Sequence, residues 1–232
     1  MSVWQWIGQV AEGGVGAAGA LVEWLGSIVP GIGDPATRRQ VAFSVALIAL
    51  SAKMAKADGV VTADEVGAFR GIFAVPIGEE RHVGRLFDLA KRDVAGYDAY
   101  AGRIAAYYDR DPAALGDVLD GLFAIAKADG AVHEAEFAYL TSVAEIFGIE
   151  GADFERIAAR HVVPEEGDPY LVLGVARSQS LPEIRIRYRQ IVGEIHPDRA
   201  IARGMPPEFV AIANDRMAVV NRAWERIERE LS

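Results

Sequence analysis

Three consecutive side chains, His196, Pro197 and Asp198, put an imidazole and a carboxylate on either side of a residue that cannot continue a helix. A carboxylate so placed can take a bidentate, charge-assisted bond from an arginine of another protein, which a neutral amide cannot reproduce. The chemistry on offer is therefore recognition rather than bond making. A second set of candidates is acidic and repeated. Lys56-Ala57-Asp58-Gly59 is followed by Val60-Val61-Thr62-Ala63-Asp64-Glu65, and Lys127-Ala128-Asp129-Gly130 by Ala131-Val132-His133-Glu134-Ala135-Glu136. Asp58 to Glu65 and Asp129 to Glu136 have the spacing of positions 5 and 12 of a calcium-binding EF-hand loop. The positions that should carry ligands 1 and 3 hold Met54 and Lys56, or Ile125 and Lys127, which offer calcium no anionic oxygen. Neither copy is a working EF-hand. A shared site would need both turns to pool Asp58, Glu65, Asp129 and Glu136. The alternative is that these carboxylates cap helices and pair with Lys56 and Lys127. His82, His133 and His161 have no companion at ligand spacing and are expected at the surface or at caps. No metal and no other cofactor is expected.

The element that must position the tripeptide is the helix before it. Ser180-Leu181-Pro182-Glu183 reads as a capping box that starts this helix. Ile184, Tyr188, Ile191, Val192 and Ile195 then recur on one stripe. Arg185 and Arg189 flank the stripe on one side and Arg187 on the other, while Ile186 and Gly193 face away. Pro197 should end the helix near Ile195, leaving His196 and Asp198 on a loop. Asp168-Pro169-Tyr170-Leu171-Val172-Leu173-Gly174-Val175 opens the segment, and Val220-Asn221-Arg222-Ala223-Trp224 lies in its last helix.

Together these features make residues 168–232 resemble the J domain of DnaJ-type co-chaperones. The resemblance implies a helical hairpin that engages a DnaK-type chaperone and promotes its ATP hydrolysis. The contact residues it implies are His196, Pro197, Asp198, Arg185, Arg189, Tyr188 and Arg199. The sequence departs from the family where Gln190 and Glu194 replace basic residues, Arg187 a small one, and Trp224 the common tyrosine. The helix is less positive than usual.

Upstream, each repeat unit reads as a long apolar helix, a turn at the Asp-Gly pair and a second helix, with Thr62 and Glu65 fitting a capping box. Asp34-Pro35 and Asp111-Pro112 place an acidic cap before proline at the first helical position. Helices are predicted at roughly 36–56, 63–74, 80–93, 97–108, 112–127, 133–147 and 151–160. The doubled Lys-Ala-Asp-Gly pattern in an all-helical setting resembles TerB, the fold named from tellurite-resistance proteins, over about residues 37 to 161. TerB followed by a J domain is the arrangement of the DjlA family of co-chaperones, whose members carry a membrane span at the N-terminal end. The expected fold is all-α: an apolar arm over 1–34, a TerB-like bundle over 35–162, a linker over 163–167 and a J domain over 168–232. The linker's proline, glycine and acids are too few to allow wide domain motion.

Composition bounds the rest. The chain has 232 residues, 51% of them hydrophobic, enough for real cores. It has no cysteine, which excludes thiol catalysis, disulfides and cysteine zinc sites. The net charge of −9 is concentrated in residues 1–167, and an acidic surface argues against nucleic-acid binding. No Gly-rich phosphate loop or His-x-x-x-His pair is present, and the protein is not expected to be an enzyme.

Residues 1–30 carry Trp4, Trp6, Ile7, Val10, Leu21, Val22, Trp24, Leu25, Ile28 and Val29, interrupted by Glu12 and Glu23. The apolar run from Gly13 to Val22 falls short of the roughly 18 to 20 residues that span a bilayer. No basic residue precedes Arg38, as a signal peptide would require. A cytoplasmic protein is expected. Ala17, Leu21, Trp24, Leu25 and Ile28 share a helical face, and attachment to the inner membrane surface competes with packing on the bundle or on a second copy. The leading reading is an adaptor that recruits a DnaK-type chaperone to a client chosen by the upstream domain. The rival readings are a stress-response or metal-sensing TerB module with a vestigial J domain, and a scaffold at the membrane surface.

Overall fold

From Val41 to Leu50 no residue of the first helix is more than 4% exposed, so this segment is apolar around its whole circumference and must run through the middle of the molecule. It is helix α1, Pro35–Ala57, in the computed structural model of the chain. The structure describes residues 34–57, 78–93, 96–127, 130–162, 167–206 and 210–232, with Gln5 and Gly8. Around α1 pack α2 (Glu80–Arg92), α3 (Tyr97–Tyr107), α4 (Pro112–Ala126) and α5 (Glu134–Phe147), and α6 (Gly151–Val162) closes on α4. Among the described residues there is no strand.

The caps are those the sequence predicts. Asp34 Oδ2 accepts from the Thr37 N–H at 2.8 Å, and Asp111 Oδ1 from the Ala113 N–H at 3.0 Å, each ahead of a proline at the first helical position. Glu136 reaches back to the His133 N–H at 2.9 Å, so His133 and Glu136 act as a helix cap. Three buried polar side chains on α1 are satisfied internally. Ser44 and Ser51 donate to carbonyls one turn back, Gln40 O and Leu47 O. The buried Lys53 ammonium donates to Asp93 O at 2.8 Å and lies over the Tyr100 ring. Gly121 on α4 lets Leu47 in, since a Cβ there would stand 2.9 Å from a Leu47 methyl. Each fully buried Leu, Ile or Val contributes about 1.5–3 kcal/mol, and α1 carries Val41, Val45, Leu47, Ile48 and Leu50 in that state.

The C-terminal segment forms a second core. Helix α7 (Pro169–Leu173) is capped by Asp168, whose Oδ1 accepts from the Tyr170 N–H at 3.0 Å. It ends at Gly174, which sits at φ +61 where a side chain would be strained. Helix α8 (Leu181–Ile195) starts at the predicted box, with Glu183 accepting from the Ser180 N–H at 2.8 Å. It lies against the long α10 (Val210–Leu231). Ile184, Ile191 and Ile195 are buried with Leu173, Val220, Trp224 and Ile227, and Tyr188 stacks on Trp224 at 5.0 Å between centroids.

Two expectations need correction. His196 to Asp198 is not a loop: Pro197–Arg203 forms a short helix, α9, separated from α8 by His196 alone. Pro197 both stops the first helix and occupies the first position of the second, where its missing N–H costs nothing. His161 is neither exposed nor a cap: it is 9% exposed, inside a charge cluster. The predicted helix over 63–74, the Thr62 and Glu65 box and all of the apolar arm but Gln5, Gly8 and Asp34 lie outside the described residues.

The two cores are joined. Ala200, Met205, Ile212 and Ala213 belong to the core of the bundle rather than to that of the hairpin. At Gly204, φ +112, the chain passes so close to α1 that an added Cβ would collide with the Arg39 Cβ and stand 3.2 Å from its backbone carbonyl carbon.

Candidate functional site

Helix α8 delivers the tripeptide to the surface. Its last residues are buried by the stripe described above, and the chain turns outward at His196, with φ −56 and ψ 135. His196 Nδ1 accepts from the Asp198 N–H at 3.2 Å, so the ring caps α9. The Asp198 side chain is 87% exposed and stands 3.6 Å from His196 Nδ1, too far for a good hydrogen bond. Arg199 is exposed beside it.

Along α8, Arg189 is exposed, and Arg185 Nη2 donates to Glu228 Oε1 at 3.0 Å while lying 5.5 Å from the Trp224 ring. Both members of that ion pair are more than a third exposed, so it is worth only about 0–1 kcal/mol and a partner carboxylate can replace Glu228. Tyr188 is half-buried, and its hydroxyl donates to Asn221 Oδ1 at 3.1 Å. Ile186 is 59% exposed, as its place opposite the stripe predicts. The structure thus brings His196, Pro197, Asp198 and Arg199 together at one turn, with Arg185, Tyr188 and Arg189 along the helix leading to it.

Directly beneath that turn lies a cluster that sequence reasoning missed. Asp117 and Asp120, one turn apart on α4, are 2% and 1% exposed. Arg216 of α10 donates from Nη1 to Asp117 Oδ1 and to Asp120 Oδ2, both at 2.8 Å. Arg203 of α9 donates from Nε to Asp117 Oδ2 at 2.7 Å, with Nη2 at 2.6 Å from the same oxygen. Arg160 Nη1 reaches Asp120 Oδ2 at 3.3 Å. His161 Nε2 stands 2.8 Å from Asp120 Oδ1, and its ring stacks on Phe123.

Burial works against ionisation of Asp120, but Arg160, Arg216 and the His161 bond outweigh it and hold its carboxyl well below the usual carboxylate range. Burial pushes the His161 imidazole down, so the neutral ring donates from Nε2 to the ionised Asp120. At Asp117 burial prevails over Arg216 and Arg203 and raises the carboxyl. The signal available in the sequence was two acids one turn apart inside Pro112–Ala126, an otherwise apolar helix.

Among the described residues no group of three or more His, Cys, Asp or Glu side chains is arranged to hold a metal ion. Glu136 is occupied as a cap, and Asp58, Glu65 and Asp129 lie outside the described residues. Among the described residues no helix is long and apolar enough to cross a membrane.

Residues 44–159, half of the chain, match the family model of tellurite resistance protein TerB, and the chain belongs to the TerB family. Its curated relatives include co-chaperones of the DjlA kind. The chain is 35% identical over 80 residues to co-chaperone protein DjlA of Vibrio cholerae, a match covering 34% of this chain and 27% of that one. It is 29% identical over 117 residues to DjlA of Shewanella oneidensis, covering 45% of each. DjlA of Coxiella burnetii matches at 22% identity over 231 residues, covering 91% of this chain and 85% of that protein. The first two matches thus take in less than half the relatives' own length. No solved structure matches the chain.

Proposed function

We propose that this chain is a J-domain co-chaperone: residues 168–232 dock on a DnaK-type chaperone and stimulate its ATP hydrolysis, and residues 35–162 decide where and on what that happens. The observation that carries the reading is the open carboxylate of Asp198, held at the head of α9 by the His196 cap and followed by the exposed Arg199. Asp198 would receive an arginine of the chaperone, Arg185, Arg189 and Arg199 would attract its acidic surface, and Tyr188 would keep α8 braced on Trp224. His196 and Pro197 set the turn. The kinship with DjlA co-chaperones supports the same partner. In this reading the protein performs no bond chemistry of its own, acts in the cytoplasm, and uses residues 1–30 to rest on the inner membrane surface or on a second copy. The client is left to the acidic TerB bundle.

The test is single-turnover ATP hydrolysis by a DnaK-type chaperone from the same cell. Wild type should accelerate it and Asp198→Asn should not. Absence of stimulation by wild type at saturating concentration would overturn the reading.

A further inference from the structure

At the junction of α8 and α9 the backbone cannot satisfy itself. A continuing helix would give the Glu194 carbonyl the N–H of residue 198 and the Ile195 carbonyl the N–H of residue 199. Here the Asp198 N–H goes to His196 Nδ1, and the Arg199 N–H goes to His196 O at 2.9 Å. The two carbonyls released at the end of α8 are taken by side chains instead. Arg203 Nη1 donates to Glu194 O at 3.3 Å, and Arg216 Nη2 to Ile195 O at 3.1 Å. Both guanidiniums are held at their other edge by carboxylates of the TerB bundle. Arg203 has Asp117 as its acidic partner, and Arg216 bridges Asp117 and Asp120.

We infer that Asp117 of the TerB bundle is a positioning residue for the His196-Pro197-Asp198 turn, acting through Arg203 and Arg216 to fix the end of α8. The inference rests on the co-chaperone reading for its consequence, though not for its geometry. Asp117 is 2% exposed on α4; it sets the plane of the Arg203 guanidinium, and that plane sets where Nη1 meets Glu194 O. Arginine suits this task because its planar fork can serve a carboxylate with one edge and a carbonyl with the other, whereas a lysine has one nitrogen for both. Packing adds to the clamp, since Ala200 and Met205, on either side of Arg203, sit in the bundle core.

A turn held in one arrangement loses little freedom when a partner binds it. Release of the clamp lowers the fraction of molecules whose tripeptide is correctly aimed, and the apparent affinity falls by that fraction while the bound complex is unchanged. A merely structural residue would instead lower the folded fraction and leave the affinity of what remains.

The experiment titrates the full chain against a DnaK-type chaperone in single-turnover hydrolysis and follows backbone hydrogen exchange at Arg199 and Ala200 in the free protein. The variants are Asp117→Asn, the milder Arg203→Lys at a site 18% exposed, and Ile104→Ala, which opens a cavity on α3, a helix that contributes no residue to the cluster. The expected result is a half-saturating concentration raised roughly threefold to tenfold in the first two, with the same plateau, and faster exchange at Arg199 and Ala200 relative to the rest of α8 and α10. Ile104→Ala should lower the thermal midpoint without either change. Unchanged half-saturation and exchange in both cluster variants, or equal changes in Ile104→Ala, would overturn the inference. Failure of wild type to stimulate would remove the co-chaperone reading alone, and the exchange data would then decide whether Asp117 positions the turn.

Discussion

Arg216 of α10 meets Asp120 of α4 at 2.8 Å, so a residue of the C-terminal hairpin supplies counter-charge to a carboxylate buried in the TerB bundle. A buried pair of this kind adds little over a well-packed apolar pair, but removal of one member strands the other. Asp120→Ala leaves Arg160 and Arg216 facing each other without their shared acceptor. It is expected to cost about 3–5 kcal/mol in urea unfolding. A loss below about 1 kcal/mol would mean that water or another acid replaces Asp120 readily.

His161 sets a pH dependence whose sign follows from its burial. The folded chain prefers the neutral ring, which burial pushes below its ordinary value of 6.5. As the pH falls through that ordinary value the unfolded chain takes up the proton first, and stability declines. Stability lent by neutral His161 is therefore whole above about pH 7 and erodes toward pH 5. Unfolding midpoints measured across that window should fall more steeply for wild type than for His161→Gln. Parallel slopes would show that the imidazole is charged or exposed in the native state.

Gly204 is expected to tolerate nothing larger. At φ +112 any side chain is strained, and the added Cβ meets Arg39. Gly204→Ala should destabilise the protein by about 1–3 kcal/mol. Limited proteolysis of this variant should cut the hairpin from the bundle sooner than in wild type. An unchanged digestion pattern would mean that α9 can shift away from α1 at no cost.

Asp198→Asn should separate recognition from stability. Its carboxylate is 87% exposed and outside both cores, so the thermal midpoint should be unchanged. Chaperone stimulation at subsaturating concentration should fall roughly tenfold to a hundredfold, the worth of a charge-assisted bond. A lowered midpoint would assign Asp198 to the turn itself instead of to a partner.

Local features of this fold were legible in the sequence because they have local causes. The proline-led helix starts at Pro35 and Pro112, the box at Ser180 and Glu183, and the buried stripe of α8 all appear as predicted. The helix over 112–127 is found at Pro112–Ala126, and that over 133–147 at Glu134–Phe147. What escaped was non-local. Asp117 and Arg216 stand 99 residues apart, and no periodicity connects them. The α9 helix was missed for a different reason: proline was read only as a terminator, though it also suits a first turn. His161 was assigned to the surface or to a cap by default, because nothing in its neighbourhood of sequence names Asp120 as its partner.

The shared core also orders events during synthesis. Ala200, Met205, Ile212 and Ala213 complete the packing of helices whose own residues end at Val162. A ribosome releases the N-terminal bundle first, at about 5–20 residues per second. For the seconds before the final segment emerges, Asp117 and Asp120 have no arginine from α9 or α10 and the bundle face stays wet. The nascent chain is thus itself an unfinished protein with an exposed apolar seam, the kind of surface on which partly folded chains aggregate.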